Sequence, residues 1–542
     1  MLWQQFLSGA GLAGGLGLFG LLGSVAVAQG PAVASLAPGT VLFTEDFEDQ
    51  DVARRWGKSA KLAEGHESAH AFGFELAAAD GSVGTRVTLP VERMRGCSLW
   101  VSAWVKAEGV SNKPESWNGI KVMLPITGPQ GASWPQATLE TGTFGWKKAS
   151  FNVRVPEDAQ TADLFLGLEK VSDKVRFDDV RVSVRKPPVT TRARAHFGSV
   201  ETGHAVPRLR GVMIQPGIDT ESLRVLGQDW KANLIRWQLV RPGSGRARVY
   251  EQQSYDEWLE GELKRLDAAL PKCREYGLTV VVDLHSPPGG APISGGYVAA
   301  NAGLFANPAA QDHFVEVWRR MAARFKGEPA IWGFDLVNEP VEDTAAEGLD
   351  DWHGLAERAG KAIREVDPSR LLIVEPPDWG NPNGLIGFEP LALTNVVYSV
   401  HMYLPHTFTH QGVGRPGQPV VYPGRIDGRL WDKAALEAAL QPIVTFQKTY
   451  GVAIYMGEFS AIRWAPDNSA FRYLSDVIDL FELHGWDWSY HAFREWQGWS
   501  VEHGSDPKDT KPSATPTDRQ KLLQRWFALN QKPAFTTAPA LR

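Results

Sequence analysis

Only two cysteines occur in 542 residues, Cys97 and Cys273. They fall in regions of different rhythm, so no disulfide framework orders the chain, and two buried free thiols are expected. Also missing is an excess of one charge: 56 Lys and Arg stand against 62 Asp and Glu, a formal net charge of −6. Without a broad basic surface, nucleic acid is excluded as a natural partner. Charged residues make up 22% and hydrophobic residues 43%, which describes neither a disordered chain nor a membrane bundle, and no integral membrane partner is implied. No internal repeat is evident. What the chain does have is tryptophan, 21 residues of it, a flat amphipathic side chain that suits cores, interfaces and sugar faces.

The one long hydrophobic run is residues 1–28, uncharged, interrupted by glycine and ending in Ala26, Val27 and Ala28. It reads as a signal peptide, which makes the mature protein secreted or periplasmic; the alternative is an uncleaved membrane anchor. Residues 41–184 alternate apolar and polar side chains in short segments such as SLWVSAWVKAEG and KVRFDDVRVSV, cut by Gly, Pro, Asn and Asp turns. Period-two alternation with frequent turns predicts an antiparallel β-sandwich. A basic, Pro-containing stretch over 185–204 reads as a linker. From 205 to 530 apolar strands alternate with amphipathic segments such as DHFVEVWRRMAARF, WHGLAERAGKAIREV and AALEAALQPIVTFQKTYG. Eight strands with intervening helices predict a (β/α)8 TIM barrel, so the fold class is α/β with an all-β domain in front.

In such a barrel the strand C-termini face one pocket. Reading only those ends collects Arg236 from the second strand, His285 from the third, Asn338 and Glu339 from the fourth, His401 and Tyr403 from the sixth, and Glu458 from the seventh. Two glutamates at one mouth can cleave a glycosidic bond: one protonates the leaving oxygen while the other attacks the anomeric carbon, and water later frees the sugar. Arg236 would keep its partner carboxylate ionised, and Tyr403 would give it a further hydrogen bond. His401 and Tyr403, two apart, share a strand face. Asp283 with His285 leaves a metal pair as the competing reading, but no third ligand completes it.

These motifs resemble those of family 5 glycoside hydrolases, the cellulase family: LVNEP with Glu339, YMGEFS with Glu458, IRWQ with Arg236, DLHS with His285 and SVHMY with His401 and Tyr403. The resemblance spans about residues 205–505. It implies that Glu339 is the acid/base, Glu458 the nucleophile and Asn338 a donor to the sugar 2-hydroxyl, with no cofactor for catalysis. The family usually carries a Trp at the end of strand eight; here GWDWSYHAFREWQGW offers Trp488, His491 or Trp496, and the simplest register puts His491 there. His491 and Trp496 join the substrate-binding candidates. The segment after strand six, with His406, His410 and Tyr422, is expected to wall the cleft.

The front domain resembles jelly-roll carbohydrate-binding modules, through TEDFED near its start and VRFDDVRV at its end. That resemblance makes Glu45, Glu48 and Asp178 or Asp179 candidate ligands of a structural calcium, and Trp117 and Trp134 candidate sugar platforms or packing for the domain junction.

The expected function is retaining hydrolysis of β-glycosidic bonds in a polysaccharide or oligosaccharide, such as a β-glucan. Transglycosylation or hydrolysis of a lipid-linked glycoside on the same site are alternatives, as is a noncatalytic glycan-binding protein that keeps the barrel.

Overall fold

A computed structural model describes residues 36–535, apart from 38, 50–51, 57–60, 116, 130, 189–201, 243–250, 290, 293–296, 301, 342–347 and 414–417. The expected signal peptide and most of the expected linker lie outside the described residues.

The front region is a sandwich of a six-stranded and a five-stranded antiparallel sheet. Its long strand Ser98–Val110 shows how sequence dictates this: Leu99, Val101, Ala103, Val105 and Ala107 are buried, while the residues between them are half-exposed. Successive strand side chains point to opposite faces, so strict alternation commits one face to the core. Truncating an inward Leu or Val here to Ala would cost about 2–5 kcal/mol. Cys97 is buried in this core and Cys273 in that of the barrel, both as free thiols.

Eight parallel strands then close a barrel: Arg210–Ile214, Leu234–Gln238, Thr279–Asp283, Ile331–Asp335, Leu371–Val374, Val396–Met402, Ala453–Phe459 and Asp487–Tyr490. Most are fully buried along their length, as parallel strands covered on both faces must be. Helices pack outside them. Trp352–Val366 starts where Asp351 accepts the Gly354 N–H at 2.7 Å, and Pro308–Arg324 starts with Asn307 accepting from Ala309. The expected single helix over AALEAALQPIVTFQKTYG is instead two, Lys433–Ala439 and Gln441–Tyr450. Pro442 lacks the N–H that would bond the Ala438 carbonyl, and the run breaks at Leu440. The second helix ends as expected at Gly451, whose φ of 64° is the left-handed stop that glycine permits.

Among the described residues, Arg185, Lys186 and Arg154 tie the domains together. The last sandwich strand runs to Lys186, and Arg185 and Lys186 both bridge to buried Asp351, the cap of the helix that follows the fourth barrel strand. Arg154 donates to the Gly387 carbonyl at 3.2 Å. The chain entering the barrel also closes its floor. Val206 and Leu209 pack with Leu234, Val281, Trp332, Leu371, Ile373 and Tyr455, while Trp332 donates to the Thr202 carbonyl and His204 meets Asp487 at 2.8 Å. With the floor plugged, the open end is the mouth at the strand C-termini. Among the described residues no helix is long and apolar enough to cross a membrane.

Candidate active site

At that mouth Arg236, with no exposed surface, is ringed by four carboxylates. Its Nε donates to Asp335 at 2.9 Å, Nη1 to Glu458 Oε1 at 2.5 Å and Nη2 to Glu375 Oε1 at 2.9 Å, while Asp283 lies 3.1 Å from Nη2. Nη2 also reaches Asn338 Oδ1 at 3.0 Å. Burial opposes the guanidinium charge, and the surrounding carboxylates more than restore it. The same burial pushes the carboxyls of Asp335 and Glu375 up, against the pull of Arg236 and His401.

Glu458 behaves in the opposite way. It is buried, which works against ionisation, but His401, His491 and Arg236 together hold its carboxyl well below the usual carboxylate range. Oε1 takes the Arg236 bond; Oε2 accepts the Tyr403 hydroxyl at 2.9 Å and lies 3.4 Å from His491 Nδ1. A carboxylate kept ionised and aimed by fixed donors is what a nucleophile requires.

Glu339 lies past the strand proper. The fourth strand ends at Asp335, and the following turn places Glu339 at φ 45°, in the left-handed region that side-chain-bearing residues avoid. Such a conformation costs on the order of 1–3 kcal/mol and persists only where neighbours over-determine it. Here the Glu339 N–H donates to Glu375 Oε2 at 2.8 Å, and His401 Nδ1 meets Glu339 Oε1 at 2.9 Å. Burial disfavours charge on His401, but Glu375, Glu458 and Glu339 around it raise its pKa well above the ordinary value. One ligand-type atom each from Glu339, His401 and Glu458 lies within 4.8 Å of the others. The two glutamates are therefore about as close as the roughly 5 Å separation of retaining glycosidases.

His285 is held by Asp283 at 2.9 Å and faces Asn338 Nδ2 at 3.3 Å; burial lowers and Asp283 raises its pKa, with a net rise. His491 lies in the pocket as the simplest register requires, against Tyr403 at 2.6 Å and Glu495 at 3.4 Å. Trp488 points out of the barrel and stacks on Phe527. Trp496 packs on Trp464 and Trp499, one layer back from the expected position; Trp499 is the ring that meets Tyr403, His410 and His491. His406 and His410 stack at 3.9 Å beside Tyr403 as expected of the cleft wall, and burial pushes His410 down to about 3. Tyr422 is not in that wall: it is fully buried, bonded to Asp476 and packed on Phe408 and Tyr473.

The seven polar residues read from strand ends all converge. Glu375, Asp335, Glu495 and Trp499 were not among them. Glu375 follows the apolar run LLIV directly, the same signal that marks Glu339 and Glu458.

The candidate calcium ligands of the front domain each accept from protein donors. Glu45 accepts from Arg55 at 2.9 Å and from the Trp56 indole at 2.9 Å, Glu48 accepts the His70 N–H at 2.5 Å, and Asp178 accepts from His66, Ser68 and Asp179. Asp178 and Glu48 thus both hold the 66–70 segment, while Glu45 holds Arg55 and Trp56. Trp117 and Trp134 are 59% and 63% exposed, so they do not pack a domain junction.

A family model described as Cellulase (glycosyl hydrolase family 5) matches residues 200–495. Among curated relatives, Endoglucanase C of Acetivibrio thermocellus is 29% identical over 273 residues, covering 45% of this chain and 76% of the relative. Cellodextrinase A of Ruminococcus flavefaciens is 25% identical over 241 residues, covering 44% and 69%. A solved glycoside hydrolase structure, 24% identical, covers 59% of this chain and 99% of its own at a TM-score of 0.47.

Proposed function

The chain belongs to the cellulase family, glycosyl hydrolase family 5, and from that premise we propose the role of each site residue and the glycan it meets. It is a retaining hydrolase of β-glycosidic bonds in a polysaccharide, acting by double displacement without a cofactor.

Glu458 is the nucleophile. Its Oε attacks the anomeric carbon as that carbon's bond to the leaving oxygen breaks, and Glu339 delivers a proton to the leaving oxygen. In the second step Glu339 takes a proton from water, water's oxygen bonds to the anomeric carbon, and Glu458 departs as a carboxylate. His401, donating to Glu339 while facing Glu458, keeps the two acids at fixed distance as charge moves between them. Asn338, its side-chain oxygen fixed by Arg236 and its amide nitrogen next to His285, is oriented to bind a sugar hydroxyl beside the reacting carbon. The observation that carries these roles is the pairing of an ionised Glu458 with a Glu339 less than 5 Å away across one imidazole.

The substrate is a β-glucan, in keeping with the endoglucanase and cellodextrinase among the relatives. The sandwich is a carbohydrate-binding module that presents exposed Trp117 and Trp134 to the glycan, and the protein is exported through residues 1–28.

The experiment is release of reducing sugar from β-glucans, mannan, xylan and xyloglucan by the purified protein, beside Glu458→Gln. Turnover of β-glucan, absent in the variant, is expected. Preference for mannan or xylan would overturn the substrate, and an active Glu458→Gln would overturn the site.

A further inference from the structure

The Tyr403 hydroxyl has one proton and two neighbours able to accept it: Glu458 Oε2 at 2.9 Å and His491 Nδ1 at 2.6 Å. The protonation of the imidazole decides between them. Its Nε2 faces Glu495 Oε1 at 3.4 Å, and Glu495 is itself fixed by the Gln238 amide, which donates to Oε2 at 2.6 Å. A carboxylate beside Nε2 requires a proton there. If Nδ1 were bare it would draw the Tyr403 proton away from Glu458; if Nδ1 also carries a proton, it donates to the Tyr403 oxygen and leaves that hydroxyl only Glu458 to serve.

We propose that Glu495 is a positioning residue: it holds His491 doubly protonated, and His491 thereby points the Tyr403 hydroxyl at the nucleophile. This inference rests on Glu458 being the nucleophile, and it adds a control of that group from a loop beyond the eighth strand.

The groups facing His491 agree with the assignment. Glu458 from the seventh strand and Glu495 from its own segment are acidic, and Tyr403 beyond the sixth strand is polar. His410, neutral through burial, and Trp499 complete the surround. Burial opposes the charge on His491, and Glu495 and Glu458 overcome it, to a pKa of about 10. The second acid matters during turnover. When Glu458 bonds to the anomeric carbon its charge disappears, and Glu495 becomes the partner that keeps both protons on His491. When water's oxygen then bonds to that carbon, the ester bond breaks and water's proton passes to Glu339, the departing carboxylate meets a hydroxyl already aimed at it.

The test is the pH dependence of kcat/KM for the full chain and Glu495→Gln, with ¹⁵N NMR of histidine-labelled wild type. Glu495→Gln should stay within about threefold of wild type at about pH 5.5 and fall about tenfold or more by about pH 8, moving the alkaline limb to lower pH. In wild type both His491 ring nitrogens should be protonated near pH 8. A loss equal at all pH values, an unmoved alkaline limb, or a singly protonated His491 in wild type would overturn the proposal. The spectrum needs no substrate and no variant, so a singly protonated His491 would overturn the proposal even if Glu495→Gln misfolds. Failure of wild type to cleave any glycan would instead count against the function itself.

Discussion

Arg236 Nη1 and Glu458 Oε1 lie 2.5 Å apart in a site where the arginine has no exposed surface and three further carboxylates surround it. The pair is therefore a structural keystone as well as a feature of the reaction. Removing the cation would leave four acids facing one another, whereas removing one acid leaves the cation still partnered.

Arg236→Met should accordingly destabilise the protein by about 3–5 kcal/mol, the cost of stranding buried charge. Arg236→Lys should fold but lose the planar fork that reaches several acids at once, lowering kcat by about 10²-fold. Chemical denaturation and initial rates check both; an unaltered unfolding midpoint in Arg236→Met would remove the keystone role.

Glu339→Gln should separate the two steps of the reaction. An aryl β-glucoside with a good leaving group needs no acid to form the glycosyl-enzyme, so that intermediate should accumulate, while turnover of natural glucan falls about 10³-fold or more. Mass spectrometry should find the added sugar on the peptide containing Glu458, and finding it elsewhere would refute the nucleophile assignment.

Stability should respond to pH through Glu458 and His401 with opposite signs. Glu458, depressed in the fold, contributes stability that is complete above its unfolded value of about 4.3 and is lost as pH falls through the folded one. His401, raised in the fold, contributes stability that is complete below about 6.5 and is lost as pH rises through its folded value. Both are fully present between about pH 4.3 and 6.5, where thermal unfolding should show its highest midpoint. The acid-side decline should flatten in Glu458→Gln; an unchanged slope would mean that other carboxylates govern it.

Exchanging Asp351 for Ala should cost about 1 kcal/mol for the lost helix cap, and more for the lost bridges to Arg185 and Lys186. Hydrolysis of a soluble aryl glycoside should be unaffected. Calorimetry would show the effect as a lower midpoint, and an unchanged midpoint would show that the bridge between the domains contributes nothing.

Much of this was legible because buried parallel strands write themselves as apolar runs and sandwich strands as alternation, so barrel and front domain both stand out in the sequence. The polar residues at the mouth were legible for the same reason, each interrupting such a run. Asp335 and Glu375 escaped because IWGFDLVNE and LLIVEPPD read as longer strands than they are; the true ends, at Asp335 and Val374, put both acids at the mouth. Glu495 and Trp499 escaped for a different reason: they follow the last strand in a stretch without period, where only tertiary contacts decide which side chain turns inward. Tyr422 shows the converse, since a polar aromatic in a loop-like segment found a buried partner in Asp476.

The plug at the barrel floor sets where this protein can be cut. A catalytic fragment trimmed at the first strand, Arg210, would lose Val206 and Leu209 and would open the lower end of the barrel to water, stripping Trp332 and Asp487 of their partners. One that begins at Thr202 keeps its stopper. The boundary that matters for excision is thus drawn by the eight residues from Thr202 to Leu209, which belong to the enzyme they lead into.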